Sequence, residues 1–187
     1  CLKRIGLPVH LLKKGHNEIT VEQEFAGQDG FEAAYLLGDF SVYLEDERTP
    51  VLKELPKHIM LGDITKQGFP FYSGKITYCL PRVYYEKVQI TMKQWNGWTM
   101  TVTDAEDEEH FIGFAPYTLS CDGIKEISLF LTRKNTFGPL HEVNPDPPVC
   151  EPNSFLTAGE DWTERYVLQP QGLRHIQIAK CRKTKNK

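Results

Sequence analysis

The chain has 187 residues, enough for one sizeable hydrophobic core or for a sandwich with elaborated loops. Hydrophobic residues make up 40% and charged residues 25%, as in an ordinary globular domain, and the formal net charge of -3 argues against a polyanionic partner such as nucleic acid. No apolar run approaches the roughly 20 residues that a membrane helix needs. Aromatic residues reach 11%, beside 14 Gly and 12 Pro, which is the composition of short β-strands joined by turns.

In chain order, residues 13–17 read as a turn. Residues 17–25 then alternate Ile19, Val21 and Phe25 with polar neighbours, the period of a half-buried strand. Residues 31–37 lead into a Gly38-Asp39 turn, and residues 40–44 resume the alternation. Further strands are expected at 71–80, 84–92, 99–102, 109–115, 126–132 and 174–179, separated by Gly, Pro, Asn and Asp clusters. Asn96-Gly97 reads as a tight hairpin turn. No window predicts a long amphipathic helix; the best helical candidate is a short turn near Tyr117-Thr118-Leu119, after Pro116. Roughly eight to ten short strands without a helical layer predict an all-β fold of two packed antiparallel sheets, a jelly-roll or Greek-key sandwich, with the two-sheet antiparallel jelly roll preferred.

Two stretches lack periodicity, 45–70 and 134–172, the second with six Pro. Loops of this length are usually functional or packed on a neighbour. The second carries Phe155 and Trp162, too apolar for a free linker. Residues 1–179 therefore read as one sandwich domain, and 180–187 as a basic, frayed tail. The start at Cys1, without Met, reads as an excised fragment. Five cysteines at wide, irregular spacings form no zinc or disulfide pattern, which favours a reducing compartment.

Five strings carry a resemblance. They are Leu12-Lys13-Lys14-Gly15-His16-Asn17-Glu18-Ile19, Tyr35-Leu36-Leu37-Gly38-Asp39-Phe40-Ser41-Val42 and Gly68-Phe69-Pro70-Phe71-Tyr72-Ser73-Gly74-Lys75-Ile76-Thr77-Tyr78. The last two are Phe114-Ala115-Pro116-Tyr117 and Arg133-Lys134-Asn135-Thr136-Phe137-Gly138-Pro139-Leu140-His141. Together, over residues 10–173, they resemble the galactose-binding-like, sugar-binding-type β-sandwich of bacterial glycoside hydrolases of the family 2 and rhamnosidase-like kinds. The sequence departs from that pattern at Phe114-Ala115, where the family tends to have Trp before Pro-Tyr, and at Lys134 and Phe137. The resemblance implies a bacterial, noncatalytic accessory module beside a catalytic barrel; with the reducing compartment that the cysteines favour, the bacterial cytoplasm is preferred as its location, which is otherwise left open. It also implies carbohydrate, or the other domains of the parent enzyme, as partners.

Sugar binding by a sandwich combines an aromatic face with a few polar groups that fix hydroxyls. Trp95 and Trp98 flank the Asn96-Gly97 turn, and one of the two is expected to pack inward. Asn135 and His141 lie in the Gly138-Pro139 loop, and Trp162 follows the acidic pair Glu160-Asp161. These five residues, Trp95, Trp98, Asn135, His141 and Trp162, are the ligand-binding candidates. The acidic run at 104–109 repels itself and is expected to face water at a hairpin end, with a cation site as its functional alternative. Calcium at Asp39 or Asp63 is the cofactor role left open; no other cofactor and no metal cluster is expected. No catalytic residue is assigned, since no G-x-S-x-G elbow, P-loop or dinucleotide motif occurs. The rival readings are a lectin-like binding module and a cupin-type metal enzyme, for which His110 with Glu108 is the nearest ligand spacing.

Overall fold

The computed structural model describes residues 4–22, 34–81, 87–145 and 151–180. The chain divides into two compact units, Cys1–Leu37 and Gly38–Lys187. In the first unit the described residues are exposed coil with one 3-10 turn, Val9–Leu11. The turn at 13–17 is present. Its Asn17 amide accepts from the Lys13 N–H at 2.9 Å and donates to the Lys13 carbonyl at 2.8 Å. The strand expected at 17–25 does not form over 17–22, where Ile19 and Val21 are exposed, and residues 23–25 lie outside the described residues. Alternation alone does not make a strand, because an isolated strand has no partner for its backbone groups. Residues 34–37 are likewise coil.

The second unit is mostly β, with nine strands among the described residues. They are β1 (Ser41–Glu45), β2 (Thr49–Lys53), β3 (Lys75–Cys79), β4 (Lys87–Asn96), β5 (Thr99–Thr103), β6 (Glu109–Ile112), β7 (Thr118–Asp122), β8 (Glu126–Phe130) and β9 (Gly172–Lys180). All pairings are antiparallel and build a hairpin β1-β2, a four-stranded sheet β3-β8-β5-β6 and a three-stranded sheet β7-β4-β9. The pairs β3/β8, β4/β7 and β5/β6 nest one inside the next along the chain. The only α-helix among the described residues is one turn, α1 (Lys134–Phe137).

Both larger sheets turn one face into the same core. Ile76 and Tyr78 of β3, Met100 and Val102 of β5, and Ile127 and Leu129 of β8 meet Val88, Ile90 and Met92 of β4 and Leu173 of β9. Each such side chain contributes about 1.5–3 kcal/mol when fully buried. The result is a sandwich-like all-β architecture. The Leu173 N–H also donates to the Tyr78 hydroxyl at 3.2 Å, linking β9 to β3. Burial pushes that phenol above its ordinary pKa, partly offset by this N–H.

Within the second unit, three further sequence readings change. The stretch 45–70 contains β2, entered through Asp46 and Glu47, both at positive φ, with the Arg48 N–H donating to the Glu45 carbonyl. Residues near Thr118 extend into β7 instead of forming a helical turn; there Thr118 and Ser120 sit on an edge strand without a clean buried face. Asn96-Gly97 is not a hairpin turn, because β4 and β5 belong to different sheets. Neither residue has positive φ, as a type I′ turn would require. Gly97 is needed for space: a Cβ there would lie 2.8 Å from Leu129 Cδ1 and 2.9 Å from the Phe130 carbonyl oxygen. The chain passes from one sheet to the other at that point, and the Trp98 N–H donates to the same carbonyl at 2.7 Å.

Candidate functional site

The crossing from β4 to β5 forms one wall of a cleft of about 370 Å³. Trp95, Asn96 and Gly97 line that wall; Thr132, Pro145, Gln169, Pro170 and Gln171 line the rest. None of these eight side chains is ionisable. Trp95 reaches this position through an irregularity in β4. Val88, Ile90 and Met92 point inward at even positions, but the pairing with β9 shifts at Gln94, so Trp95 falls opposite buried Leu173. A bulge of this kind re-aims the side chain that follows it. The Trp95 indole then packs edge-on against Tyr117, ring centres 5.4 Å apart, and against the core.

The opposite wall is fixed through its backbone. Asn135, 1% exposed in α1, donates from Nδ2 to the Gln169 carbonyl at 2.8 Å and accepts from the Gln169 N–H at 2.9 Å. Asp63 caps the 3-10 turn Ile64–Lys66 and uses the same Oδ1 to accept from the Gln171 N–H at 3.2 Å. The N–H groups of Gly62 and Ile64 donate to the carbonyls of Leu173 and Gln171, each at 2.8 Å. Gly172, between them, has φ +125°, and a Cβ there would collide with the Gly62 carbonyl oxygen. Backbone conformation and contact therefore agree on why glycine occupies this position.

Within this fixed wall, the Gln171 side chain stands apart. The residue is 2% exposed, and neither Oε1 nor Nε2 has a hydrogen-bond partner within the chain. The Thr132 hydroxyl, also on the cleft, is buried without a partner. A buried polar group left unpaired costs about 1–3 kcal/mol, so these groups ask for an explanation.

The five sequence-predicted ligand residues separate. Trp95 lines the cleft, and Asn135 stands behind its wall with both amide atoms engaged. Trp98 is 76% exposed at the neighbouring turn, so one tryptophan of the pair packs inward and the other does not. His141 and Trp162 belong to a second group with Tyr166. His141 lies 4.8 Å from the Tyr166 ring centre and 6.3 Å from that of Trp162. Its Nδ1 faces the Thr163 and Arg165 carbonyls at 3.1 and 3.2 Å, and an isolated bridge pairs Glu142 with Trp162. This group fastens the 134–172 stretch to itself and, through Tyr166 N–H to the Glu47 carbonyl, to the β1-β2 hairpin. Glu160 and Asp161 are exposed.

The acidic run does sit at a hairpin end, between β5 and β6, but Asp104 does not face water. Its carboxylate, 7% exposed, accepts at Oδ1 from the Glu106 and Glu108 N–H groups at 2.9 and 3.0 Å. Its Oδ2 lies 2.7 Å from His110 Nε2. The His110 bond, more than the backbone donors and against the cost of burial, holds this carboxyl below its usual range. One ligand atom each from Asp104, Glu108 and His110 falls within 4.8 Å of the others. Both Asp104 oxygens are already bonded, and the trio supplies a single imidazole, so the arrangement reads as a locked turn. Asp63 is likewise occupied as a cap, while Asp39 is exposed in a bend.

Gln171 is the residue sequence reasoning missed. No motif marks it, and its burial follows from tertiary contacts of the 62–64 segment. Comparison with protein-family models, with curated proteins and with solved structures found no match.

Proposed function

We propose that the chain is a noncatalytic jelly-roll module of a bacterial glycoside hydrolase that packs against other domains of its parent and contacts carbohydrate. The nested pairing of β3/β8, β4/β7 and β5/β6 supports the jelly roll, since that fold is a long strand-pair ribbon wrapped into two sheets. Likeness of the five strings to sugar-binding-type sandwiches supports the glycoside hydrolase assignment. Exposed Trp98, Phe111 and Phe114, the last at 82%, supply apolar surface suited to interdomain packing.

The observation that carries the reading is the cleft: an indole ring among neutral hydrogen-bonding side chains. That combination suits a pyranose, whose C–H face stacks on an aromatic and whose hydroxyls need fixed polar partners. Calorimetric titration of the purified chain with methyl pyranosides tests it. Binding in the millimolar range or tighter is expected, with quenching or shift of tryptophan fluorescence. Absence of binding at that concentration sets carbohydrate contact aside. The chain is also expected to leave aryl glycosides intact; hydrolysis that tracks the purified protein refutes the noncatalytic assignment.

A further inference from the structure

We infer that the Gln171 amide is the ligand-reading group of the cleft and that it selects an uncharged sugar presenting adjacent hydroxyls. The inference rests on the carbohydrate-contact reading above and specifies its ligand. A glutamine amide offers one acceptor oxygen and two N–H donors. A ligand that satisfies both ends must itself donate and accept within one short span. Neighbouring pyranose hydroxyls do this, since each is donor and acceptor at once. Thr132 also lines the cleft, and its buried hydroxyl, without a partner within the chain, supplies a third polar contact.

Charge is decided by the lining. Among the described residues, no Lys, Arg or His borders the cleft. A carboxylate or phosphate entering it would shed water without meeting a cation, and that is strongly unfavourable. Uronic acids and sugar phosphates are therefore rejected, and neutral hexoses or deoxyhexoses accepted. The wall backbone is pinned by Asp63, Asn135 and the Gly62–Leu173 contact, so it is the side chain that adapts. Both amide atoms are buried, so meeting a ligand requires the side chain to swing toward the cleft about its torsions, the terminal one being broad.

The test pairs binding with stability. Wild type and Gln171→Met are titrated with methyl glucoside, methyl galactoside and methyl rhamnoside, and with glucuronate and galacturonate; each protein is also unfolded in urea. Methionine keeps the length and removes both unpaired polar atoms. Q171M is expected to weaken neutral-sugar binding roughly tenfold or more, the loss of a hydrogen-bonding ligand contact. The same change is expected to raise the urea midpoint, because an unpaired buried amide is replaced by an apolar group. Uronates are expected to bind at least about tenfold more weakly than neutral sugars. A merely structural glutamine would lower the midpoint on substitution, and that result overturns the inference. Neutral-sugar binding unchanged in Q171M, or uronates bound as well as neutral sugars, overturns it while leaving carbohydrate contact standing. No binding of any neutral sugar by wild type overturns both.

Discussion

Replacement of Gly172 by alanine tests whether the wall of the cleft is set where the structure puts it. The perturbation has two parts. At φ +125° an L-residue is strained, a cost of order 1–3 kcal/mol. The new Cβ also meets the Gly62 carbonyl oxygen, a backbone atom that no rotamer change can move. Relief requires the entry of β9 to draw away from the 62–64 segment, which loosens the Gly62-to-Leu173 and Ile64-to-Gln171 hydrogen bonds, both 2.8 Å. Each is worth about 1 kcal/mol net. The expected destabilisation is about 3–5 kcal/mol, a large share of the roughly 5–15 kcal/mol that holds a domain together. At roughly 2–4 °C per kcal/mol, the melting temperature falls by about 6–20 °C.

Gly159→Ala is the internal control. Gly159 has φ +107° in an exposed turn, and a Cβ there meets nothing within 4 Å. Its substitution carries the conformational cost without the collision, about 1–3 kcal/mol. Urea unfolding followed by tryptophan fluorescence, with calorimetry for the melting temperature, measures both variants. The difference between them isolates the backbone contact. Equal losses, or a Gly172→Ala loss below about 1 kcal/mol, would refute the claim that this close approach anchors β9.

Asn135→Ala removes both bonds to Gln169 at a buried site and is expected to cost about 1–3 kcal/mol in urea unfolding, with weaker sugar binding as the wall loosens. Asp104→Asn is expected to destabilise in a pH-dependent way. Because the folded carboxyl titrates below its unfolded value of 3.8, its stabilisation is complete above that value and vanishes as pH falls through the lowered one. The stability gap between wild type and D104N should therefore be widest above pH 3.8 and close as pH falls through the lowered value in urea melts; a gap independent of pH contradicts the His110 contact as its source.

The strands most legible in the sequence are those whose inward face is an unbroken alternation: Ile76 and Tyr78, Val88 to Met92, Met100 and Val102, Ile127 and Leu129. Where a different force decided, local pattern failed. Asp46 and Glu47 occupy left-handed conformations usually left to Asn and Gly, so the β1-β2 hairpin looked like an acidic loop. Asn96-Gly97 looked like a hairpin because the dipeptide is a turn signal, yet its glycine answers to crowding by Leu129 and Phe130 from another sheet. Repulsion among the residues at 104–109 predicted that all would face water. The prediction overlooked that one carboxylate can be buried when two N–H groups and an imidazole receive it. The candidate site divides in the same way. Trp95 was named for its chemistry, but its inward aim depends on the β4 bulge, which no periodicity reveals.

Gln171 brings these points together. Its backbone is held on both sides: Asp63 takes the N–H, Ile64 gives to the carbonyl, and glycine follows because nothing larger fits. Those contacts would be served equally by many side chains at this position. The amide itself contributes nothing to them, and among the described residues it is the one side chain with two buried polar atoms both lacking partners. An apolar residue of the same length would avoid the cost of burying it. Retaining such an amide beside an indole, in a cleft whose described lining carries no charge, makes physical sense when a partner comes from outside the chain.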